Sequence, residues 1–333
     1  MTLRYGISFD GFVTTAEALA TARDAMSTGI DSLWMAEHLG YREAMVTSMG
    51  FRMQSGDALV VPTAVSPYLW HPTPTAMALA TLAEVGTAPV GIAIGVGNPL
   101  FLAESGRQIE KPVRAVREFV ECLKALWTGE AIACEGEFFP LANARLGFVP
   151  PQPLFTYVAA TGEQMLRLSG RIADGVVLSA GLSPVYCRTS FEHVAGGAGK
   201  AGRDADKLRR AAYLIFAVSE DGRTARDLVR GKLAFLFRNR MLATNIEATG
   251  VPVDQEQIVA AISRRDIAAA AALVTDDAID AYAIAGTPAE CHQRLDAFLE
   301  SGINEPVLMV QGEAAERALA LEFLRDRTGA QAN

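Results

Sequence analysis

Gly29-Ile30-Asp31-Ser32-Leu33-Trp34-Met35-Ala36-Glu37-His38 passes from a helix-stopping glycine through a short, mostly apolar run into two titratable side chains. Such a run after a helix-like segment predicts a strand buried on both faces, the mark of a parallel sheet. The carboxyl ends of these strands are where α/β proteins bind ligands. Glu37 and His38 are therefore the first residues to consider for chemistry. A plain loop start, with Glu37 opening it and His38 capping a neighbouring element, fits the pair equally well.

Working outward, strand and helix signals alternate along most of the chain. Strands are predicted to start at Tyr5, Ser32, Leu59, Pro89, Phe155, Gly175, Ala211 and Pro306. Helices are predicted over Thr15 to Ser27, Pro74 to Val85, Pro112 to Trp127, Glu163 to Ile172 and Ala314 to Arg327, among others. Eight strands with crossover helices give the count of a (β/α)8 TIM barrel, with an open doubly wound sheet as competitor. The chain, 1–333, is read as a single domain with a hairpin insertion near 131–139, turning at Glu135-Gly136, and a helical insertion near 239–283. Gly40 to Gly56 reads as a loop whose Met45, Met49, Phe51 and Met53 suit an apolar pocket or a dimer face. Gly196 to Gly202 reads as a polar connector.

Composition narrows the function classes. Half the residues are hydrophobic and 20% are charged, which is ample for a packed core. A net charge of -8 argues against nucleic acid and anionic membranes as partners and leaves a small molecule or a second copy of the chain. Cys122, Cys134, Cys187 and Cys291 are widely spaced and lack metal-ligand spacing, so they are read as reduced and mostly buried in a cytoplasmic protein, with no metal site. The N-terminus lacks the pattern of a signal peptide, and no segment is apolar enough to span a bilayer.

Past the predicted strands, Gly97-Asn98 and Ala160-Thr161-Gly162 join the Glu37-His38 pair. Gly95-Val96-Gly97-Asn98-Pro99-Leu100 lacks the third glycine of a dinucleotide fingerprint, and its next helix is expected about ten residues later. It reads as a tight turn or as a glycine floor under a flat ligand. Ala159-Ala160-Thr161-Gly162-Glu163 joins a strand to a helix, so its free N–H groups suit a phosphate. Glu163 in the first turn would equally satisfy the helix dipole. Gly286-Thr287-Pro288 is read as an ordinary capped helix start. No Ser-His-Asp order, nucleophile elbow or H-E-x-x-H occurs, and no lysine ends a strand, which disfavours hydrolase, metalloenzyme and Schiff-base readings.

Several segments in order resemble the bacterial luciferase-like monooxygenase superfamily of flavin- and F420-dependent oxidoreductases. They are Gly29 to His38, His71-Pro72-Thr73-Pro74-Thr75-Ala76-Met77-Ala78-Leu79-Ala80-Thr81-Leu82, Ile92 to Asn98, Val158 to Gly162, Ala173-Asp174-Gly175-Val176 and Ile284 to Glu290. The stretch from Val253 through Asp266 to Gly286 is most similar to the methylenetetrahydromethanopterin reductase-type branch. The resemblance implies a TIM barrel, often dimeric, holding FMN or coenzyme F420 at the strand ends. By position it assigns Glu37 and His38 to the flanks of the ring; there His38 is read as the proton donor or hydrogen-bond partner at the reacting edge, with Glu37 setting its charge and orientation. Ala64 and Val65 fall where members can carry a non-prolyl cis peptide under the ring, Gly97 and Asn98 line the ring, and Ala160, Thr161 and Gly162 hold the phosphate. Val96 stands where some FMN-using members have an arginine, and Val85-Gly86-Thr87-Ala88 replaces a Ser-Gly-Gly-Arg turn.

The implied activity is a flavin-dependent oxidoreductase or monooxygenase acting on a small organic substrate. A strictly F420-dependent hydride-transfer reductase or dehydrogenase without oxygen, and a non-catalytic flavin-binding protein, are the alternatives. A homodimer is implied, and a flavin reductase as partner if reduced FMN diffuses in.

Overall fold

The apolar runs of the sequence become parallel strands in the computed structural model, which describes residues 2–329; Met1 and 330–333, at the ends of the expected domain, lie outside the described residues. The chain begins β1 (Gly6–Phe9), α1 (Thr15–Met26), β2 (Ser32–Ala36), α2 (Ala44–Arg52), β3 (Leu59–Thr63), α3 (Pro72–Ala83), β4 (Val90–Ile94), α4 (Pro99–Glu104) and α5 (Pro112–Leu126). It continues with β5 (Ile132–Cys134), β6 (Leu141–Ala144), β7 (Leu154–Ala159), α6 (Glu163–Ile172), β8 (Gly175–Leu178), α7 (Pro184–Lys200) and β9 (Arg209–Val218). Last come α8 (Gly222–Phe237), α9 (Ala243–Thr249), α10 (Gln255–Ser263), α11 (Ile267–Ala272), α12 (Asp276–Tyr282), β10 (Ile284–Gly286), α13 (Pro288–Leu299), β11 (Glu305–Val310) and α14 (Ala314–Thr328).

The main sheet runs β10-β9-β11-β1-β2-β3-β4-β7-β8, with a further β9–β8 pairing. Without β10 these are the eight predicted strands in the cyclic order of a (β/α)8 TIM barrel. The open-sheet alternative is thereby overturned, because the pairing of β8 with β9 leaves no free edge among the eight.

Contacts divide the chain into two compact units, Ser8–Val177 with His193–Arg209, and Thr2–Ile7 with Leu178–Glu192 and the residues from Arg210 onward. In the first unit β2, β3, β4, β7 and β8 pair in parallel, with Ser32 to Ala36 in register against Leu59 to Thr63. Every residue of β3, β4 and β8 is buried, which is why these strands read as unbroken apolar runs rather than as alternating ones. Trp34 is fully buried and meets Tyr157 edge to face at 5.0 Å, its indole N–H donating to the Ser32 hydroxyl. Gly91 makes room for this pair, since a Cβ there would lie 3.1 Å from Val61 and 3.3 Å from the Tyr157 ring. Truncating Trp34 would cost about 3–5 kcal/mol.

In the second unit β9 pairs with β11 over Ala211 to Phe216 and with β10 over Phe216 to Val218. The expected helical stretch near 239–283 resolves into α9 to α12, separated by the N-caps Asp254, Asp266 and Thr275. Arg226 bonds Glu290 at 3.0 Å, and Arg230 bonds Asp227 and Asp276, tying α8 to α12 and α13.

Four local expectations need correction. Residues 44–52 are helical because Glu43 caps α2, accepting from the Met45 and Val46 N–H groups at 2.7 and 2.6 Å. The Gly-rich connector is the end of α7, where helices pass too closely for side chains: a Cβ on Gly197 would lie 2.1 Å from the backbone oxygen of Arg167, and one on Gly170 would lie 2.0 Å from that of Val194. A helix starts at once after Asn98, because Asn98-Pro99 is itself a cap followed by a proline at the first helical position. The hairpin pairs Ile132 with Ala144 and Cys134 with Leu141, so its return strand lies beyond 139. The Glu118 carboxylate holds this longer turn by accepting the Phe138 N–H at 2.8 Å.

Candidate active site

The strand ends of the first unit carry every residue singled out from the sequence. Glu37 is still part of the ladder, its N–H donating to the Thr63 carbonyl at 2.5 Å. Its carboxylate accepts the Ala44 N–H at the start of α2 at 3.0 Å, and the Trp70 side chain bonds it as well. Burial raises its pKa above the ordinary value, with the Glu43 charge adding to the rise and the Ala44 and Trp70 hydrogen bonds opposing it. Glu37 thus anchors α2 as well as lining the strand end.

His38 follows, half-buried, with its ring 4.8 Å from that of Phe12, which in turn meets Tyr41 edge-on at 4.6 Å. The Asp10 carboxylate accepts the Phe12 N–H at 3.1 Å, and the Arg42 guanidinium donates to the Gly11 and Phe12 carbonyls at 3.3 and 3.1 Å. Gly11 has φ +75°, and a Cβ there would press on the Arg42 carbonyl at 3.1 Å. The loops after β1 and β2 are therefore fastened together, which sets Phe12 against His38. Phe12, Tyr41 and Arg42 were not found from the sequence, because no spacing signals a contact between two loops.

Next to β2, the Thr63–Ala64 peptide is cis, one bond before the Ala64-Val65 pair expected from the resemblance. The ladder resumes beyond it, with the Val65 N–H donating to the Ala93 carbonyl at 2.9 Å and the Gly95 N–H to the Val65 carbonyl at 3.1 Å. Val65 is fully buried and belongs to the wall rather than the surface of the site. Gly95 lies between two alanines, and a Cβ on it would be 3.0 Å from the Ala64 Cβ and 3.1 Å from the Ala159 Cβ. Three small residues on neighbouring strand ends make a flat floor suited to a planar ring. Gly97 is exposed with φ +94°, and Asn98 accepts the Leu100 N–H at 2.9 Å as the cap of α4. Its side-chain oxygen thus serves the helix, so only the amide nitrogen is left to point at a ligand.

The Ala160 N–H extends the β7–β8 ladder to the Val177 carbonyl at 3.2 Å. Gly162 is the N-cap of α6 and provides no side-chain cap. Glu163 does not fill that role: its carboxylate bonds Arg167 one turn on at 2.8 Å, and that partner, then the nearby His193, holds its pKa below the ordinary value. The N–H groups of the first turn are therefore open to an anion. Thr161 is half-buried beside them.

His71 caps α3 by accepting the Thr73 N–H at 3.2 Å, in keeping with a loop-shaping role. Burial pushes the thiols of Cys122, Cys187 and Cys291 up to about 12, so none is a thiolate nucleophile near neutrality. No helix among the described residues is long and apolar enough to cross a membrane.

Comparison with known proteins places this geometry. The family model described as Luciferase-like monooxygenase matches residues 5–305. The 5,10-methylenetetrahydromethanopterin reductase of Archaeoglobus fulgidus is 28% identical over 312 residues, covering 92% of each chain. Among solved structures, the coenzyme F420 dependent tetrahydromethanopterin reductase from Methanopyrus kandleri superposes with a TM-score of 0.88 over 98% of each chain at 23% identity. Monooxygenase RslO1 from Streptomyces bottropensis superposes with a TM-score of 0.74 at 20% identity, covering 97% of this chain and 98% of its own.

Proposed function

The chain belongs to the luciferase-like monooxygenase family, and from that premise we propose an oxidoreductase that acts on a small organic substrate with coenzyme F420, and with FMN as the second choice. The relatives' names, a reductase and an F420-dependent dehydrogenase, favour an oxidoreductase over a non-catalytic flavin-binding protein. The observation that carries the proposal is the pairing of two features on neighbouring strands: the Ala64-Gly95-Ala159 floor, where a Cβ on Gly95 would crowd both alanines at 3.0 and 3.1 Å, and the uncapped first turn of α6. Coenzyme F420 is preferred because the Archaeoglobus relative bears a name from the reductase branch and because Val96 offers no charge to an FMN phosphate.

When bound, the cofactor supplies two-electron redox chemistry, and the protein binds, orients and shields it. Ala64, Gly95 and Ala159 support one face of the ring, with Val65 as backing and Gly97 and Asn98 at its edge. The first-turn N–H groups of α6, with Ala160, Thr161 and Gly162, hold the phosphate. His38 holds or delivers a proton through its imidazole at the reacting edge, with Phe12 fixing the plane of the ring. Glu37, with its raised pKa, positions His38 by fixing the start of α2 to the end of β2. The whole chain acts as one domain, homodimeric and cytoplasmic, and a flavin reductase is its partner if reduced FMN is used.

His38→Ala tests the assignment. Turnover should fall about 100-fold or more, as for loss of a general acid, with cofactor affinity nearly unchanged. Measured as anaerobic F420 oxidation or reduction and as oxygen uptake with reduced FMN, the two assays also decide between the cofactors. Undiminished turnover in the active assay removes His38 from the chemistry.

A further inference from the structure

Two of the four cysteines meet. Cys122 is on α5 and Cys134 on β5, and their side chains are hydrogen-bonded to each other. The register of the hairpin on the helix brings this about. Glu118, four residues before Cys122 on α5, accepts the Phe138 N–H at 2.8 Å, and a Cβ on Gly136 would lie 2.7 Å from the Glu118 Oε2. The helix rises about 6 Å from Glu118 to Cys122, and two extended residues back from Gly136 to Cys134 cover about 6.6 Å. The two advances match, so the contact at Glu118 carries Cys134 to Cys122. Alternation along β5 agrees, with Ala133 exposed and Ile132 and Cys134 half-buried.

The two thiols differ in access. Cys122 is 2% exposed, and burial, with Cys134 next, pushes its pKa up to about 12, so it stays protonated near neutrality. Cys134 is half-buried on a two-stranded hairpin outside the main sheet, and it is the sulfur that a dissolved oxidant reaches. An accessible sulfur that is oxidised first, with a second thiol beside it to resolve the product, makes a redox pair.

We propose that Cys134 and Cys122 form a reversible dithiol–disulfide site that hydrogen peroxide oxidises. The Cys134 sulfur attacks one peroxide oxygen; the O–O bond breaks, an S–O bond forms, and water leaves with the thiol proton. The Cys122 sulfur then attacks the Cys134 sulfur; the S–S bond forms, the S–O bond breaks, and the hydroxide leaves with the Cys122 proton as water. The two thiols lose two electrons in all, and the peroxide is reduced to two waters. A thiol reductant reverses the bond by exchange. A two-stranded hairpin is barely stable by itself, and the bridge fastens this one to α5. The hairpin turn carries Phe138 and Phe139, whose rings meet Tyr68 at 6.3 Å and His71 at 5.7 Å, so the fastening reaches the loop between β3 and α3.

The test treats the full-length protein, reduced and freed of reductant, with hydrogen peroxide, followed by alkylation, trypsin digestion and mass spectrometry without reductant. Cleavage after Arg117, Lys124 and Arg145 leaves Cys122 and Cys134 on separate peptides, 118–124 and 125–145. The two should appear joined, about 2 Da lighter than their sum, and dithiothreitol should release them. Cys134→Ser should leave Cys122 reduced at the same peroxide dose, and Cys187→Ser should still form the bridge. Hydrogen exchange over 132–144 should slow at least about tenfold in the oxidised wild type, because the bridge closes a short loop. The site is overturned if no thiol is lost, if the bridge joins Cys187 or Cys291 instead, or if Cys134 goes on to sulfinic acid while Cys122 stays a thiol. A bridge that leaves hairpin exchange unchanged overturns the fastening.

Discussion

Two strand-to-helix turns in this chain have nearly the same sequence and opposite outcomes. Gly286-Thr287-Pro288-Ala289-Glu290 leads into α13, and Ala160-Thr161-Gly162-Glu163 leads into α6. In the first, Thr287 sits at the N-cap and forms a reciprocal capping box with Glu290. Glu290 is then bound by the Thr287 N–H and by Arg226, and these push its pKa down to about 2. In the second, the threonine stands one position too early, glycine occupies the cap, and the glutamate turns to Arg167. A shift of one residue decides whether a helix start is satisfied by its own chain or left open for a ligand.

The largest expected effect comes from closing the open turn. Gly162→Asp puts a capping carboxylate where a Cβ meets nothing within 4 Å and where φ is -80°, so the fold should be unaffected or slightly stabilised. Cofactor affinity should drop at least about tenfold, because the new charge occupies the N–H groups and repels a phosphate. Unchanged affinity by fluorescence titration would mean that α6 does not hold the anion. Opening the closed turn should act on stability instead. Thr287→Ala should cost about 1 kcal/mol in a denaturant titration, and cofactor affinity should stay as it was.

The smallest effect concerns pH. The Glu290 pKa of about 2 lies below its ordinary 4.5, so the unfolded chain binds the proton more readily. Its contribution is present above about pH 4.5 and is lost as pH falls through about 2. Melting temperatures of Glu290→Gln should therefore converge with those of the wild type at the acid end of that window and fall below them at neutral pH. A constant gap across the window would remove Glu290 from the account.

Much of this was legible in the sequence. All eight strand positions emerged from apolar runs, because strands buried on both faces leave a continuous signal that tertiary context does not erase. The bounds of α6, Glu163 to Ile172, were readable as well. What escaped was set by contacts across the chain. Gly196, Gly197 and Gly199 looked like a loop, but Gly197 is there to let α7 approach the backbone of α6. Gly95, the tightest point of the floor, was overshadowed by Gly97, since a close approach from Ala64 and Ala159 has no trace in local spacing. Arg42 and Phe12 remained hidden for the same reason. The residues marked in the sequence do lie at neighbouring strand ends, and the part each takes in the fold comes from geometry: Val65 in the wall, Asn98 as a cap, Glu37 anchoring α2.

The central claim, that the open start of α6 holds the phosphate of a ring cofactor, is tested most directly by comparing each cofactor with its phosphate-free core. Equilibrium titration of FMN against riboflavin isolates that one group, and titration of coenzyme F420 against its ring-and-ribityl core removes it together with what it carries. The phosphate-bearing form of the true cofactor should bind at least about tenfold more tightly, equivalent to about 1.4 kcal/mol or more. Equal affinity for the two forms of the cofactor that binds would contradict it.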